Sequence, residues 1–229
     1  MNLFEKACKE GGLEKVKEIY LENNIDKGII FASEKGHLEI VKYLVEKGAD
    51  IHTQYESALI WASQNGHLQV VQYFIEKGAN IHANDDYALQ WASYCGHLEI
   101  VKILVEKGAN IHARYDCALR WASTNGHLKI VQYLVKKGAD IHAINDDALR
   151  RASYNGQLQV VKFLAWKGGN KIIHKIQDPE MKKTVQEYIH LRNVYQECMM
   201  RIHFHPNLER TKTENERKFQ EMKIQTQIN

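Results

Sequence analysis

Residues Gly66 to Cys95 read GHLQVVQYFIEKGANIHANDDYALQWASYC, and the next thirty, Gly96 to Asn125, read GHLEIVKILVEKGANIHARYDCALRWASTN; eighteen of the thirty positions are identical. Gly36, Gly66, Gly96, Gly126 and Gly156 open five copies at a spacing of thirty, and Ala58, Ala88, Ala118 and Ala148 keep the same step. A fixed period in this range constrains the fold more than any other feature. One such unit cannot bury its own apolar face, so copies must stack side by side into a solenoid with no single centre. Length alone, 229 residues, would have pointed to one or two globular domains.

Each copy follows one grammar. A short helix runs through Ala-Leu-x-Trp-Ala-Ser, as in Ala58 to Ser63, and Gly66-His67 turns the chain. A second helix runs from Leu68 to about Lys77, with Leu68, Val71, Phe74 and Ile75 at helical spacing. Gly78 ends it, as a glycine in the left-handed region does. An extended link, Ala79 to Ala83, leads on. Asp86, Asp116 and Asp146 then precede the next short helices, where their carboxylates are expected to cap free N–H groups.

This grammar resembles the ankyrin repeat. The matching residues are Leu59 and Ala62, Gly66-His67, Val71 and the run Gly78-Ala79-Asn80, recurring through residues 1–170 as about six units. Two departures stand out. The family's usual period of 33 is shortened to thirty between Ala83 and Ala88, which removes the projecting hairpin, and its Thr-Pro-Leu-His box is replaced, for example by Ser57-Ala58-Leu59-Ile60. Units of this wording look like those of large gene families in giant DNA viruses. The resemblance implies an all-α, ankyrin-type solenoid of helix-turn-helix repeats with short links in place of full hairpins, plus a C-terminal helical segment.

The ends depart from the period. Residues 1–25 form a worn N-terminal capping copy, with Phe4, Ala7 and Cys8 and then Leu13, Val16, Ile19 and Tyr20 as its buried set. Repeats occupy 26–170. In the last of them Arg151 replaces Trp, Gln157 replaces His, and Trp166 stands where other copies carry a charge, so something is expected to cover it. Asp178-Pro179 starts a helical cap over 171–205, in which Met181, Val185, Tyr188, Tyr195, Met199 and Ile202 recur at three- and four-residue steps. This helix is expected to lie against the last repeat, with Trp166 beneath it. Residues 206–229 are polar, and disorder or a marginal helix is expected there.

Charge and cysteine usage narrow the function. Net charge is +3, and from Lys171 onward 11 Lys and Arg face 8 Asp and Glu, so the excess lies in the tail and the repeats are near neutral. That argues against a phosphate-binding face and against a basic membrane patch. No stretch approaches the roughly 18 apolar residues of a spanning helix. Cys8, Cys95, Cys117 and Cys198 are scattered, as reduced thiols of a cytoplasmic protein would be.

Eight histidines are periodic: His37, His67, His97 and His127, then His52, His82, His112 and His142. Equivalents one repeat apart lie roughly 10 Å from each other, too far to share a metal. They are read as hydrogen-bonding the turns between copies. His203 and His205 form an isolated pair in the tail. No nucleophile–base pair, phosphate loop or paired carboxylate stands out, so neither catalysis nor a cofactor is expected.

The positions that differ between copies are free of the stacking duty. They include Tyr55 and Ile60; Tyr87, Gln90 and Tyr94; Arg114, Tyr115 and Arg120; and Arg150 and Tyr154. Beside them run the column Trp61, Trp91 and Trp121 and its successor Arg151. The resemblance places these residues on the concave face. They are rich in Tyr, Trp and Arg, the types favoured at recognition surfaces. The expected function is therefore a non-catalytic, monomeric module that binds a protein partner there, with an acidic portion of the partner expected at the arginine end. The alternative is an adaptor whose segment from Lys171 to Asn229 recruits machinery such as a ubiquitin ligase.

Overall fold

The computed structural model describes residues 2–20, 25–168 and 173–204, with the backbone alone at 191, 192 and 195–204, and among these residues every regular element is helical. In chain order they are α1 (Leu3–Glu10), α2 (Leu13–Glu18), α3 (Ile25–Lys35), α4 (Leu38–Glu46), α5 (Thr53–Gln64), α6 (Leu68–Glu76), α7 (Ala83–Cys95), α8 (Leu98–Glu106), α9 (Ala113–Thr124), α10 (Leu128–Lys136), α11 (Ala143–Tyr154), α12 (Leu158–Gly168) and α13 (Pro179–Phe204). Odd-numbered helices from α1 to α11 are the first member of each pair, and even-numbered ones from α2 to α12 the second.

The second helices show why the pattern folds this way. In α8, Ile100, Val101 and Leu104 are at most 1% exposed, while Glu99 and Lys102 pair on the outer side at 2.8 Å. Truncating a leucine buried like Leu104 to alanine removes about 2–5 kcal/mol. Gly78, Gly108 and Gly138 end α6, α8 and α10 at φ +86°, +101° and +104°.

First helices carry alanine where they meet one another. Ala58, Ala62, Ala88, Ala92, Ala118 and Ala122 are at most 2% exposed. Small side chains let α5, α7, α9 and α11 pack closely in succession, whereas α6, α8, α10 and α12 touch over much less of their length. The stack therefore bends, with the first helices on its inner face.

The link between pairs is not extended. Ile81 and His82 turn the chain, and Asn84, Asp85 and Asp86 follow at φ 53°, 59° and 60°, one full turn of left-handed backbone. The same three positions do so at Gln54–Glu56, Arg114–Asp116 and Ile144–Asp146. This turn takes the place of the family's hairpin.

At the ends, Phe4, Ala7, Cys8 and Val16 are buried as expected, whereas Leu13, Ile19 and Tyr20 pack against the core half-buried. Asn2 and Glu5 close α1 reciprocally, Asn2 Oδ1 accepting from Glu5 N at 2.8 Å and Glu5 Oε2 from Asn2 N at 3.1 Å. Asp178 caps α13 by accepting from Met181 N at 2.8 Å. Ile173, Ile176, Val185 and Ile189 join the core, and Lys162 Nζ of α12 lies 5.7 Å from the Tyr188 ring centre, so α13 does lie on the last pair. Trp166 is half-buried, edge-on to Phe163 at 5.9 Å. The side chains of Tyr195, Met199, Ile202 and His203, and all of 205–229, lie outside the described residues. Among the described residues no helix is long and apolar enough to cross a membrane.

Candidate partner-binding face

Three left-handed non-glycine residues in a row cost about 1–2 kcal/mol each, so the turn needs partners that hold it. The third residue supplies them. Asp86, 4% exposed, accepts from His82 Nδ1 at 3.0 Å and from the backbone N–H of Asn110, in the next link, at 2.9 Å. Asp116 repeats this with His112 and Asp140 N, at 3.0 and 2.8 Å. Glu56 does the same with His52 and Asn80 N, at 2.5 and 3.1 Å. The carboxylates thus do not cap their own helices, contrary to the reading from sequence. An N-cap needs β-region backbone, and these residues have φ near +60°. They bond the following copy instead. A carboxylate can only accept, so the imidazole proton sits on Nδ1. The bond to Glu56 accordingly raises the His52 pKa.

At the end of this ladder Lys175 replaces the missing N–H. Its Nζ donates to the Asp146 carboxylate and, at 2.5 Å, to Asn145 Oδ1. Burial by itself would raise the Asp146 carboxyl, but the bonds from Lys175 and His142 outweigh it and hold its pKa low.

The other histidine column joins the turns between helices. His67, His97 and His127 donate from Nε2 to the carbonyls of Glu34, Gln64 and Tyr94, each at 2.9 Å, and Gln157 donates to that of Thr124 at 3.3 Å. The reading of these residues as inter-repeat hydrogen-bonders holds. Among the described residues no cluster of His, Cys, Asp or Glu has metal-binding geometry.

The structure divides the fourteen expected contact residues. Ile60 and Gln90 are 9% and 1% exposed, so neither presents a surface. Gln90 Nε2 donates to the Asp85 carbonyl at 2.6 Å, and Arg120, at the equivalent position, donates from Nη1 to the carbonyls of Arg114 and Tyr115 at 3.1 and 3.5 Å. Side chains here satisfy carbonyls of the left-handed turn. Arg120 also reaches Asp147, and its side chain is only 13% exposed. Ile60, Gln90 and Arg120 are therefore corrected from recognition to structure.

Most of the remainder forms two bands on the inner side. One is aromatic. Trp91 and Trp121 meet at 5.4 Å, Tyr94 lies 5.4 Å from Trp91 and 5.5 Å from Trp121, and Tyr87 lies 5.7 Å from Trp91. These contacts are edge-to-face, the favoured aromatic geometry. Trp61 and Tyr94 are 39% and 41% exposed, and Trp91, Trp121 and Tyr87 are half-buried. The indoles both pack and present an open edge. The other band is the rim of the left-handed turns, where Tyr55 and Tyr115 are strongly exposed and Arg114 Nε pairs with Asp85 at 3.3 Å. Tyr154 stands exposed beyond them.

At the C-terminal end three guanidiniums converge on one buried carboxylate. Asp147 accepts from Arg120 Nε at 2.7 Å, Arg150 Nη2 at 2.7 Å and Arg151 Nε at 2.5 Å. Burial pushes the Asp147 carboxyl upward, but Arg120 and Arg151 more than reverse this and its pKa is lowered. Burial also pushes up the neighbouring Cys117 thiol, and Cys8 rises to about 12, so neither is a thiolate nucleophile at neutral pH. Sequence reasoning missed Asp147 as a hub because a carboxylate before a helix is more simply read as a cap.

Stacked helix pairs with a curved inner face and a variable rim define a helical-repeat scaffold. A family model for ankyrin repeats (3 copies) matches residues 4–85, 29–115, 82–145 and 114–176, and the chain belongs to the ankyrin-repeat family. No curated protein matches the chain. Ankyrin repeats generally mediate protein–protein interaction, and no catalytic family is indicated.

Proposed function

We propose that the chain is a non-catalytic module that holds one protein partner on the inner face of its stack. The observation that carries this reading is the open aromatic patch of Trp91, Tyr94 and Trp121, whose rings meet at 5.4–5.5 Å. Aromatic anchors of this kind dominate binding energy because they bury large area at low entropic cost. The active face comprises Tyr55, Trp61, Tyr87, Trp91, Tyr94, Arg114, Tyr115, Trp121, Arg150, Arg151 and Tyr154. Residues 1–25 and 171–205 act as caps on the 26–170 stack, and the packing of Val185 and Ile189 supports this for the second. The adaptor alternative draws no support from that packing. The thirty-residue period supports placing the chain among the short-period ankyrin proteins of giant DNA viruses, and we propose that it acts there as a monomer in the host cytoplasm.

Comparative pull-down tests the proposal. Tyr94→Ala with Tyr154→Ala is expected to lose partners that Gln72→Ala with Lys129→Ala, on exposed positions of the second helices, retains. Equal capture by both variants would exclude the inner face.

A further inference from the structure

The inner face has a polarity. Trp61, Trp91, Trp121 and Arg151 occupy one register position in successive copies, so an aromatic column ends in a cation. Three guanidiniums share the single Asp147 carboxylate, which leaves two positive charges unmatched within the cluster (three minus one). Arg120 is 13% exposed whereas Arg150 and Arg151 are 46% and 44% exposed, so the surplus is presented by the outer pair. Each guanidinium carries five donors in a fixed fork, and Asp147 takes one donor from each of the outer two. A guanidinium fork matches a carboxylate bidentately. The aromatic end, by contrast, carries no charge on Trp61, Tyr87, Trp91, Tyr94 or Trp121.

We propose that the partner element is an extended peptide segment with an aromatic residue seated on the Trp91–Tyr94–Trp121 patch and a carboxylate on Arg150 and Arg151. The assignment rests on the inner-face reading above and fixes a spacing. Successive copies lie roughly 10 Å apart, and an extended chain advances roughly 3.3 Å per residue. The partner's acid therefore follows or precedes its aromatic residue by about three residues for each repeat crossed. A nucleic-acid strand would need a continuous run of cations for its phosphates. This face instead carries the exposed Asp85 carboxylate beside Arg114.

The test is selection of randomised twelve-residue peptides on the full chain, then fluorescence anisotropy with a labelled selected peptide. Enriched peptides are expected to pair an aromatic residue with Asp or Glu about three or six residues away. Arg150→Gln with Arg151→Gln is expected to weaken the labelled peptide about tenfold or more, the scale of charge-assisted hydrogen bonds, and to flatten the salt dependence of binding. If that pair melts, Arg150→Lys with Arg151→Lys keeps the charge but not the fork, and an intermediate loss is expected. Peptides without acidic enrichment that ignore both arginine pairs but fail on Trp91→Phe overturn this inference and leave the inner-face reading standing. Peptides indifferent to the arginines and to Trp91→Phe overturn both. Failure to select any peptide, or displacement of the peptide by a twenty-nucleotide thymidine strand, overturns the peptide assignment.

Discussion

Arg120 Nε lies 2.7 Å from Asp147 Oδ2, and the two residues sit on first helices of adjacent repeats. The pair turns a column of apparently free surface charge into a joint. Both side chains are largely buried, at 13% and 7% exposed, so the interaction is screened little by solvent.

Removing one partner leaves the other stranded. Arg120→Ala is expected to cost about 2 kcal/mol and Asp147→Ala about 3 kcal/mol, the larger loss because three guanidiniums then lack their acceptor. Denaturant midpoints measure this. A cost near 0.5 kcal/mol for Arg120→Ala, as for an ordinary surface site, would refute the joint.

The same carboxyl makes stability acid-sensitive. Its pKa is lower folded than unfolded. The associated stability is therefore complete above the ordinary aspartate value of about 4 and is lost as pH falls through the lower folded value. The gap between wild type and Asp147→Asn is expected to narrow between pH 7 and pH 3. A gap independent of pH would contradict the assignment.

His52 behaves in the opposite sense. Glu56 raises its pKa, so what the pair contributes is present below the unfolded histidine value and is lost as pH rises through the folded one. Glu56→Gln should move the His52 titration downward when followed by NMR. An unmoved titration would show that the 2.5 Å contact does not govern it.

Two glycines with nearly equal backbone angles separate strain from crowding. Gly78 and Gly96 have φ +86° and +88°, but a Cβ on Gly78 meets nothing within 4 Å, whereas one on Gly96 comes 2.7 Å from His127 Cε1. Gly78→Ala is expected to cost about 1 kcal/mol from backbone strain. Gly96→Ala should cost more, and His127→Ala in the same chain should recover part of the excess in a double-mutant cycle. Equal costs would mean that the imidazole moves aside freely.

The ladder's last rung offers a further check. Lys175→Met removes the donor to Asp146 while keeping the aliphatic stem, and α11 amides should exchange faster than those of α7. Lys175→Arg should restore much of the protection. No difference between α11 and α7 would place the stabilising contact elsewhere.

Much of this was legible in the residues. Leu104, Val101 and Ile100 announce a buried helix face by their spacing, and Gly108 announces its end. The histidine columns read as joints because a repeat-long separation forbids a shared metal. The left-handed turn that follows each link is not legible in the same way. Asn84 and Asp85 tolerate left-handed backbone, but Tyr115 and β-branched Ile144 at equivalent positions do not favour it. Local preference could not reveal a turn that is held by bonds to another copy.

The amino-acid order by itself determined the architecture: near-identical units each need a neighbour to cover their apolar stripe, so stacking follows from the period. It also determined that the varying positions would be aromatic and basic. Only the tertiary structure decided which of them remain available. Gln90 and Arg120 turn inward because the left-handed turn leaves carbonyls to be satisfied, Arg120 also because an alanine-lined joint brings Asp147 within reach, and Ile60 because it packs into the apolar core. The carbonyls are near in sequence but face these side chains only because the backbone turns left-handed, whereas Asp147 is brought to Arg120 from the next repeat by packing.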